Sequence, residues 1–491
     1  MSEAVAGLPP PAPPARPSDA AAVILWRPGP QGREVFWVRR GEGLRFAGGF
    51  YAFPGGRVDA GDALVPVPGR SGEEAALCAA AVREVFEETG VLLARGAERL
   101  GREGLEEARR ALLGGAPFGD FLARQGLFLD PSLLAPAGRW ITPPFLPVRF
   151  DARFFLARVP PGQEPVVWPG ELSAGEFVPT RRALELWETG EALLHPPAWW
   201  GIVALDRAEP PGALALLREP PADIHIEFQK GVVLQALRTP TLPPATHTNC
   251  WLVDVGEGVA VVDPGSPYPE EQERLLALLG ALAREGRPAR EVWLTHHHAD
   301  HVGGAPRLAA LGLPVRAHAE TARLLGGSPA GEPLSEGQLL FRRWRVLHTP
   351  GHAPGHVAFL DERTGALLAG DLVSTASTVV IDPPEGDMRV YLQQLERLRG
   401  TGARTLYPAH GPPAPSADAK LEEYLAHRRE RTERVVAALA TGGTLGEVTL
   451  RSYPDAPAFL LPVAERSCLA TLLMLEEDGR ARRQGERWLS A

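Results

Sequence analysis

Cysteine is scarce in this chain. Cys78, Cys250 and Cys468 are its only three in 491 residues, and no two form a C-x-x-C pair. That excludes a disulfide framework or a zinc knuckle and leaves three small apolar side chains for the interior. Lysine is almost absent: Lys230 and Lys420 stand among 51 basic residues. Such arginine bias, beside the high Ala, Gly and Pro content, reads as GC-rich coding, so an isolated arginine carries little functional weight. No run of about 18 uninterrupted apolar residues occurs, and no membrane span is expected. The opening "MSEAVAGLPPPAPPARPSD" lacks a basic stretch ahead of an apolar core. It does not read as a secretory signal, and a cytoplasmic location is expected. A formal charge of −9 gives no support for a strongly basic nucleic-acid surface, though it leaves room for a local patch.

Hydrophobic content of 44% and charged content of 23% are those of a globular protein. The length suits two or three domains. The expected division is a disordered Pro/Ala-rich tail over 1–18, an α/β domain over 19–220, a second α/β domain over 226–411 and a small C-terminal domain over 412–491. In the first, "AAAVILWRPG" and "REVFWVRR" read as strands around a turn, and "EEAALCAAAVREVFEETG" as a helix capped by Gly90. "RFDARFFLARV" predicts a further strand and "TRRALELWETGEALL" a further helix. In the second, "HTNCWLVDVGEGVAVVDPG" predicts a hairpin, "PEEQERLLALLGALAREG" an amphipathic helix, and "REVWLTHHH" a strand running into a histidine loop. The C-terminal region has two helices, "ADAKLEEYLAHRRERTERVVAALA" and "AERSCLATLLMLEEDG", and the hairpin "RARRQGERWLS". That is the order of a winged helix.

The stretch "LTHHHADHVGG" places His296 and His298 on one side of an extended segment, because alternate residues share a face. Asp300 and His301 follow at a helix start, while His297 points away and reads as structural. Two such groups suit two adjacent divalent ions. More distant donors follow in order. His352 lies in the turn "HTPGHAPGH", Asp371 at the strand end "LLAGDLV" and His410 in "YPAHG". An imidazole from His352 could reach the first ion, the Asp371 carboxylate both, and His410 the second. His195, His225, His247, His318, His348, His356 and His427 read as surface or core residues.

This set resembles the metallo-β-lactamase superfamily over residues 226–411. The resemblance implies an αβ/βα sandwich and two zinc ions. One would be held by His296, His298 and His352, the other by Asp300, His301 and His410, with Asp371 bridging. Asp300 is also a candidate catalytic group, and Asp263 matches a supporting position. Only 38 residues (372–409) separate Asp371 from His410, too few for the extra domain of the larger nucleases of that superfamily. The winged-helix tail resembles the lactamase-like endoribonuclease subgroup, which implies single-stranded RNA as a candidate partner. Against RNA, residues 412–491 hold 11 basic and 12 acidic side chains. Arg480, Arg482, Arg483 and Arg487 could still touch phosphates.

Upstream, "REVFEETGV" carries Glu84, Glu87 and Glu88 on one helix face. Crowded carboxylates call for a cation, and hard oxygen donors suit Mg²⁺ or Mn²⁺, which also bind diphosphates. Arg83 could brace one of them. The preceding "FPGGRVDAGD" offers a loop, with Gly55 and Gly56, that lets backbone approach a phosphate. The stretch resembles the Nudix box, implying an α/β/α sandwich and a Mg²⁺-dependent diphosphatase with Glu84, Glu87 and Glu88 as ligands and base. It departs from that box in two ways: Asp62 stands in place of the first glutamate, and twenty residues precede Arg83 where seven are usual. The longer spacing, FPGG and "ITPPFLPVRFDARFF" are similar to the peroxisomal coenzyme A diphosphatase branch. That likeness implies coenzyme A or another nucleoside diphosphate compound as substrate, met by Arg40, Arg45, Gly55 and Gly56. Glu171 or Glu176 could add a ligand.

The expected protein is thus a bifunctional metal-dependent hydrolase, its zinc site acting on a thioester or phosphodiester. The alternative is a nucleotide-binding Nudix module that regulates an endoribonuclease-like hydrolase. Oligomeric state is not legible.

Overall fold

The computed structural model describes residues 14–44, 47–168, 170–327 and 331–491. It forms two compact units that meet in sequence at Lys230 and Gly231. The first thirteen residues of the expected tail lie outside the described ones, and Ser18 already begins a strand.

In the N-terminal unit, Ser18–Gly29 and Gly32–Arg40 pair antiparallel, and Phe150–Arg158 runs parallel to the first of these. Leu172–Pro179 pairs with Gly32–Arg40, and Ala135–Ile141 with Phe150–Arg158, widening the sheet. Alternation along each strand sends side chains to opposite faces. Val23, Leu25, Phe36 and Val38 join one core with Leu77, Val82 and Phe86 of the helix Gly72–Thr89. Ile24, Val35 and Trp37 join another with Trp187, Trp200 and Ile202 from the helices Thr180–Glu188 and Pro196–Arg207. The result is the expected α/β/α sandwich. Gly90 ends the acidic helix with left-handed backbone (φ 76°), its N–H bonded to Phe86 O. The later helix stops at Glu188, short of the full stretch expected.

Two large sheets build the first part of the second unit. One orders Val232–Arg238, His247–Asp254, Val259–Val262, Ala289–Trp293 and Val315–Arg316. The other orders Leu339–Leu340, Trp344–His348, Val357–Asp361, Ala366–Gly370 and Thr405–Pro408. Aromatic side chains join their inner faces: Trp293 stacks on Phe359 at 5.1 Å, and Trp251 meets Tyr407 edge-on at 5.0 Å. The helix Pro269–Arg284 covers the outer face of the first sheet through Leu275, Leu279 and Leu282. Met388–Leu398 and Ala417–Leu439 cover the second through Tyr391, Leu395, Leu421 and Leu425. This is an αβ/βα sandwich.

The C-terminal residues add a helix that the sequence reading did not separate, Leu445–Ser452, ahead of Leu461–Glu477 and the hairpin Ala481–Gln484/Arg487–Ser490. Its start is a capping box between Thr444 and Glu447. Contrary to expectation, Ala458–Glu477 is long and apolar enough by composition to cross a membrane. Glu465 and Arg466 interrupt the run, and Cys468, Leu472 and Leu475 pack into a core with Val435, Val448 and Trp488. The packed part runs from Ser467 to Leu475, while residues 458–466 are exposed or half-buried.

Candidate metal centres

Each donor of the second unit leaves a strand end or tight turn. Ala289–Trp293 delivers the chain to a loop and the one-turn helix Ala299–Val302. Ala366–Gly370 ends immediately before Asp371, and Thr405–Pro408 two residues before His410. His298 Nδ1 lies 2.8 Å from His296 Nε2 and 3.0 Å from His352 Nε2, so three ring nitrogens converge. Asp300 Oδ2 lies 4.0 Å from His301 Nε2 and 3.5 Å from His410 Nε2, forming a second trio. Asp371 reaches both: its Oδ2 is 3.6 Å from His352 Nε2 and 3.5 Å from His301 Nε2. Its Oδ1 is 3.3 Å from His410 Nε2.

Four of the five imidazoles have their outward nitrogen tied down. His301 Nδ1 meets Asp263 Oδ2 at 2.8 Å, and Asp263 also accepts from Thr295 N and Thr295 Oγ1 at 2.8 and 2.6 Å. His352 Nδ1 donates to Val380 O at 2.8 Å and His410 Nδ1 to His247 O at 2.9 Å. His296 Nδ1 lies 3.0 Å from Thr295 Oγ1. These contacts aim the opposite nitrogens into the centre. Asp263 holds its place at φ 50°, in the left-handed region.

Burial pulls His296 and His298 well below the usual imidazole range, and lowers His352 too. Those three are neutral donors at pH 7. Burial also opposes charge on His301, but the carboxylates of Asp371, Asp263 and Asp300 outweigh it and raise that ring well above its usual value. The same contest takes His410 up to about 10. Burial acts to raise Asp300, yet His301 and His410 bring it down to about 2. Asp300 Oδ1, His301 Nε2 and Asp371 Oδ1 are nevertheless buried without a hydrogen-bond partner. Buried polar atoms left so are costly unless a cation completes them, and the donor set fits one.

Some supporting residues escaped the sequence reading. His356, read as a core residue, is fully buried, and its Nε2 accepts from the Asp371 backbone N–H at 3.1 Å. The repeated "PGH" in "TPGHAPGH" was the available signal. Asn249 donates to Pro408 O and Gly411 O at 3.0 and 2.7 Å, fixing the His410 turn across the sandwich. His297, read as pointing away, lies 3.1 Å from Glu385 Oε2, a pairing no local pattern announces.

In the N-terminal unit the acidic face gathers around Arg83. Its Nε and Nη2 each bond one oxygen of the buried Asp62 at 2.8 Å. Its Nη1 bonds Glu84 Oε1 at 2.9 Å and Glu87 Oε2 at 3.1 Å. Asp62, standing in for the usual glutamate, is therefore an anchor for the arginine. Glu88 Oε2 accepts from Gly55 N at 2.8 Å. A Cβ on Gly56 would lie 2.4 Å from the Glu84 carboxyl, so glycine lets the loop close on the helix. Gly55 and Gly56 thus face the acidic helix. Burial, with Glu84 nearby, pushes Glu88 up to about 8 against the pull of Gly55 N–H and Arg40. Burial lifts Glu84 to about 7 despite Arg83, and raises Glu87 as well. Glu171 acts electrostatically on Glu88, whereas Glu176 sits on the strand opposite Trp37. Among the described residues no three carboxylates of this face bring ligand atoms within 4.8 Å of one another. Arg45 lies outside the described residues.

The metallo-beta-lactamase superfamily model matches residues 243–410, which enclose both histidine trios. Lactamase-like protein adaB of Aspergillus niger is 30% identical over 267 residues, covering 50% of this chain and 80% of that protein. The chain belongs to the metallo-beta-lactamase superfamily. Lactamase-like protein nscB of Neosartorya fischeri is 31% identical over 203 residues, 40% of this chain, and the match spans 59% of that relative's length. Atrochrysone carboxyl ACP thioesterase AacuM of Aspergillus aculeatus is 29% identical over 218 residues, 42% of this chain and 66% of that protein. A NUDIX domain matches residues 16–194, and a beta-lactamase associated winged helix domain residues 444–488. The protein is therefore a Nudix domain joined to a metallo-beta-lactamase-fold hydrolase with a winged helix behind it.

Proposed function

We propose that the lactamase-fold unit is a two-zinc hydrolase of acyl thioesters, and that the Nudix unit is a Mg²⁺-dependent diphosphatase for coenzyme A or a related compound. The observation that carries the first part is the reach of Asp371 Oδ2 to both trios, 3.6 Å from His352 and 3.5 Å from His301. Five imidazoles with two carboxylates suit zinc, whereas three carboxylates suit Mg²⁺ or Mn²⁺. His296, His298 and His352 would hold one zinc and Asp300, His301 and His410 the other, with Asp371 common to both. Such a pair supplies hydroxide from water near neutral pH and polarises a carbonyl. The chain's own part is to keep His296, His298 and His352 neutral, aim His301, His352 and His410 through Asp263, Val380 O and His247 O, and hold Asp371 through His356. In the Nudix unit, Glu84, Glu87 and Glu88 would bind the cation. One of them would take the proton of attacking water.

The thioester assignment draws on the Aspergillus aculeatus relative, a carboxyl ACP thioesterase, and on the coenzyme A chemistry proposed for the Nudix unit, since coenzyme A carries acyl groups as thioesters. A single-stranded RNA substrate is less well supported, since the wing arginines Arg480 and Arg487 face Glu433 and Glu447 at 3.5 and 3.7 Å. A second reading, a Nudix module that binds nucleotide without cutting it, draws on Arg83, whose guanidinium engages Asp62, Glu84 and Glu87 together.

The test is a panel of acyl-coenzyme A, coenzyme A and single-stranded RNA with wild type, His298→Ala and Glu87→Gln. His298→Ala is expected to lose thioester cleavage and keep Mg²⁺-dependent coenzyme A cleavage, and Glu87→Gln to do the reverse. Thioester cleavage that survives His298→Ala refutes the zinc assignment. Coenzyme A that binds without turnover favours the regulatory reading.

A further inference from the structure

Four of the five imidazoles in the lactamase-fold centre have their outward nitrogen hydrogen-bonded or in close contact, at 2.8–3.0 Å, with Asp263, Thr295, Val380 O or His247 O. His298 is the exception. Its Nδ1 turns inward, and its Nε2 faces the carboxylate of Glu385 at 3.9 Å. The same Glu385 Oε2 lies 3.1 Å from His297 Nε2.

Glu385 comes from the segment between Asp371 and the helix Met388–Leu398, and the backbone around it is pinned. Asp387 N donates to Gly351 O at 2.8 Å, one residue from His352. Ile381 N donates to Ser467 Oγ at 3.2 Å, and the Arg428 guanidinium donates to Val379 O. Tyr424 OH accepts from Ser374 N at 2.9 Å and donates to Ser377 O at 2.9 Å. The C-terminal helices thus hold the strip that supplies both Val380 O to His352 and the Glu385 carboxylate to His298.

We infer that Glu385 is a positioning residue, anchored by His297, whose carboxylate 3.9 Å from His298 Nε2 favours the proton on that nitrogen and so leaves the Nδ1 lone pair for the first metal. This rests on the reading that His296, His298 and His352 hold a metal. His297, His298 and Glu385 also have donor atoms close enough to suggest a metal site of their own. That site would require His298 to give up both nitrogens and its ring proton, whereas a carboxylate behind a metal-bound imidazole leaves the proton in place. The histidine that sequence reasoning set aside then has a role: it fixes the direction of the carboxylate.

The test uses the full chain, with Co²⁺ titrations followed by visible absorption and Zn²⁺ affinities from chelator competition. Removing an outer partner of this kind weakens binding roughly 10–100-fold. Glu385→Gln is expected to weaken one binding step by that factor, leave the other within threefold, and alter the Co²⁺ spectrum. Glu385→Asp should recover part of the loss, and His297→Ala should show a smaller one. Glu385 is exposed, and matching near-ultraviolet circular dichroism of the metal-free variants separates positioning from misfolding. Both steps within threefold of wild type in Glu385→Gln overturn the inference alone. So does a third metal equivalent that Glu385→Gln removes, since Glu385 would then be a ligand. A wild-type protein with no affinity that His298→Ala reduces overturns the inference and the metal reading together.

Discussion

In the metal-free Nudix unit, the half-buried acidic face makes alkaline pH, and not acid, the destabilising direction. Burial and Glu84 hold Glu88 at about 8 and burial holds Glu84 at about 7, against an ordinary 4.5. A carboxyl raised in the folded state contributes its full stability below its unfolded value and loses it as pH rises through the folded one. The window therefore runs from about pH 4.5 to about pH 8. At about 1.4 kcal/mol per pH unit, Glu88 alone accounts for at most about 5 kcal/mol across it. At pH 7 the two carboxyls together hold about 1.4 protons that the unfolded chain has released, giving a slope of about −2 kcal/mol per pH unit. The perturbation is Glu88→Gln, which keeps shape and an acceptor for Gly55 N–H and removes the charge. Hydrogen exchange of the Gly72–Thr89 amides, corrected for intrinsic rate, reads this unit separately from the other. In divalent-free buffer, wild-type protection should fall from pH 5 to pH 8.5, the variant should fall much less, and Mg²⁺ should restore the wild type at pH 8. Parallel pH profiles for the two proteins, or wild-type protection that increases with pH, would refute the account of the acidic face.

Two further outcomes follow from close contacts. Gly56→Ala places a Cβ 2.4 Å from a Glu84 carboxyl that Arg83 already holds, so the loop must open. A loss of about 1–3 kcal/mol in unfolding free energy is expected, with weaker Mg²⁺ binding, and unchanged Tm would show that the loop tolerates the methyl. Asp263→Asn keeps a residue type that tolerates φ 50° while removing the charge beside His301 and Thr295. Affinity for one of the two metals should drop roughly 10–100-fold in a chelator competition. An unaltered affinity would mean that Asp263 serves the backbone alone.

Much of this architecture was legible in the sequence because its determinants are local. Alternating Val23-Ile24-Leu25 and Val35-Phe36-Trp37-Val38 already specify a sheet buried on both faces, and they do divide between two cores. Gly90 at the end of an apolar helix pattern specifies a left-handed cap. The donors of the histidine centre are named by their positions at strand ends and turns. The helix Leu445–Ser452 was missed although "TLGE" carries a capping signature, because eight residues give too little periodicity to stand out.

Tertiary structure decided what depends on residues far apart in the chain. Whether Asp62 is a metal ligand or an anchor turns on which atoms of Arg83 face it across 21 positions. Asn249 and the His410 turn lie about 160 residues apart, and His297 and Glu385 are 88 apart. Such pairings form only when two sheets close on one another and a C-terminal helix pins a loop, so no local pattern encodes them. The sequence by itself determined the kinds of donor present and their order along the chain. The folded chain determined which nitrogen of each ring faces inward, which carboxylate spans both trios and which charges stay buried. Those depend on distances that only packing sets.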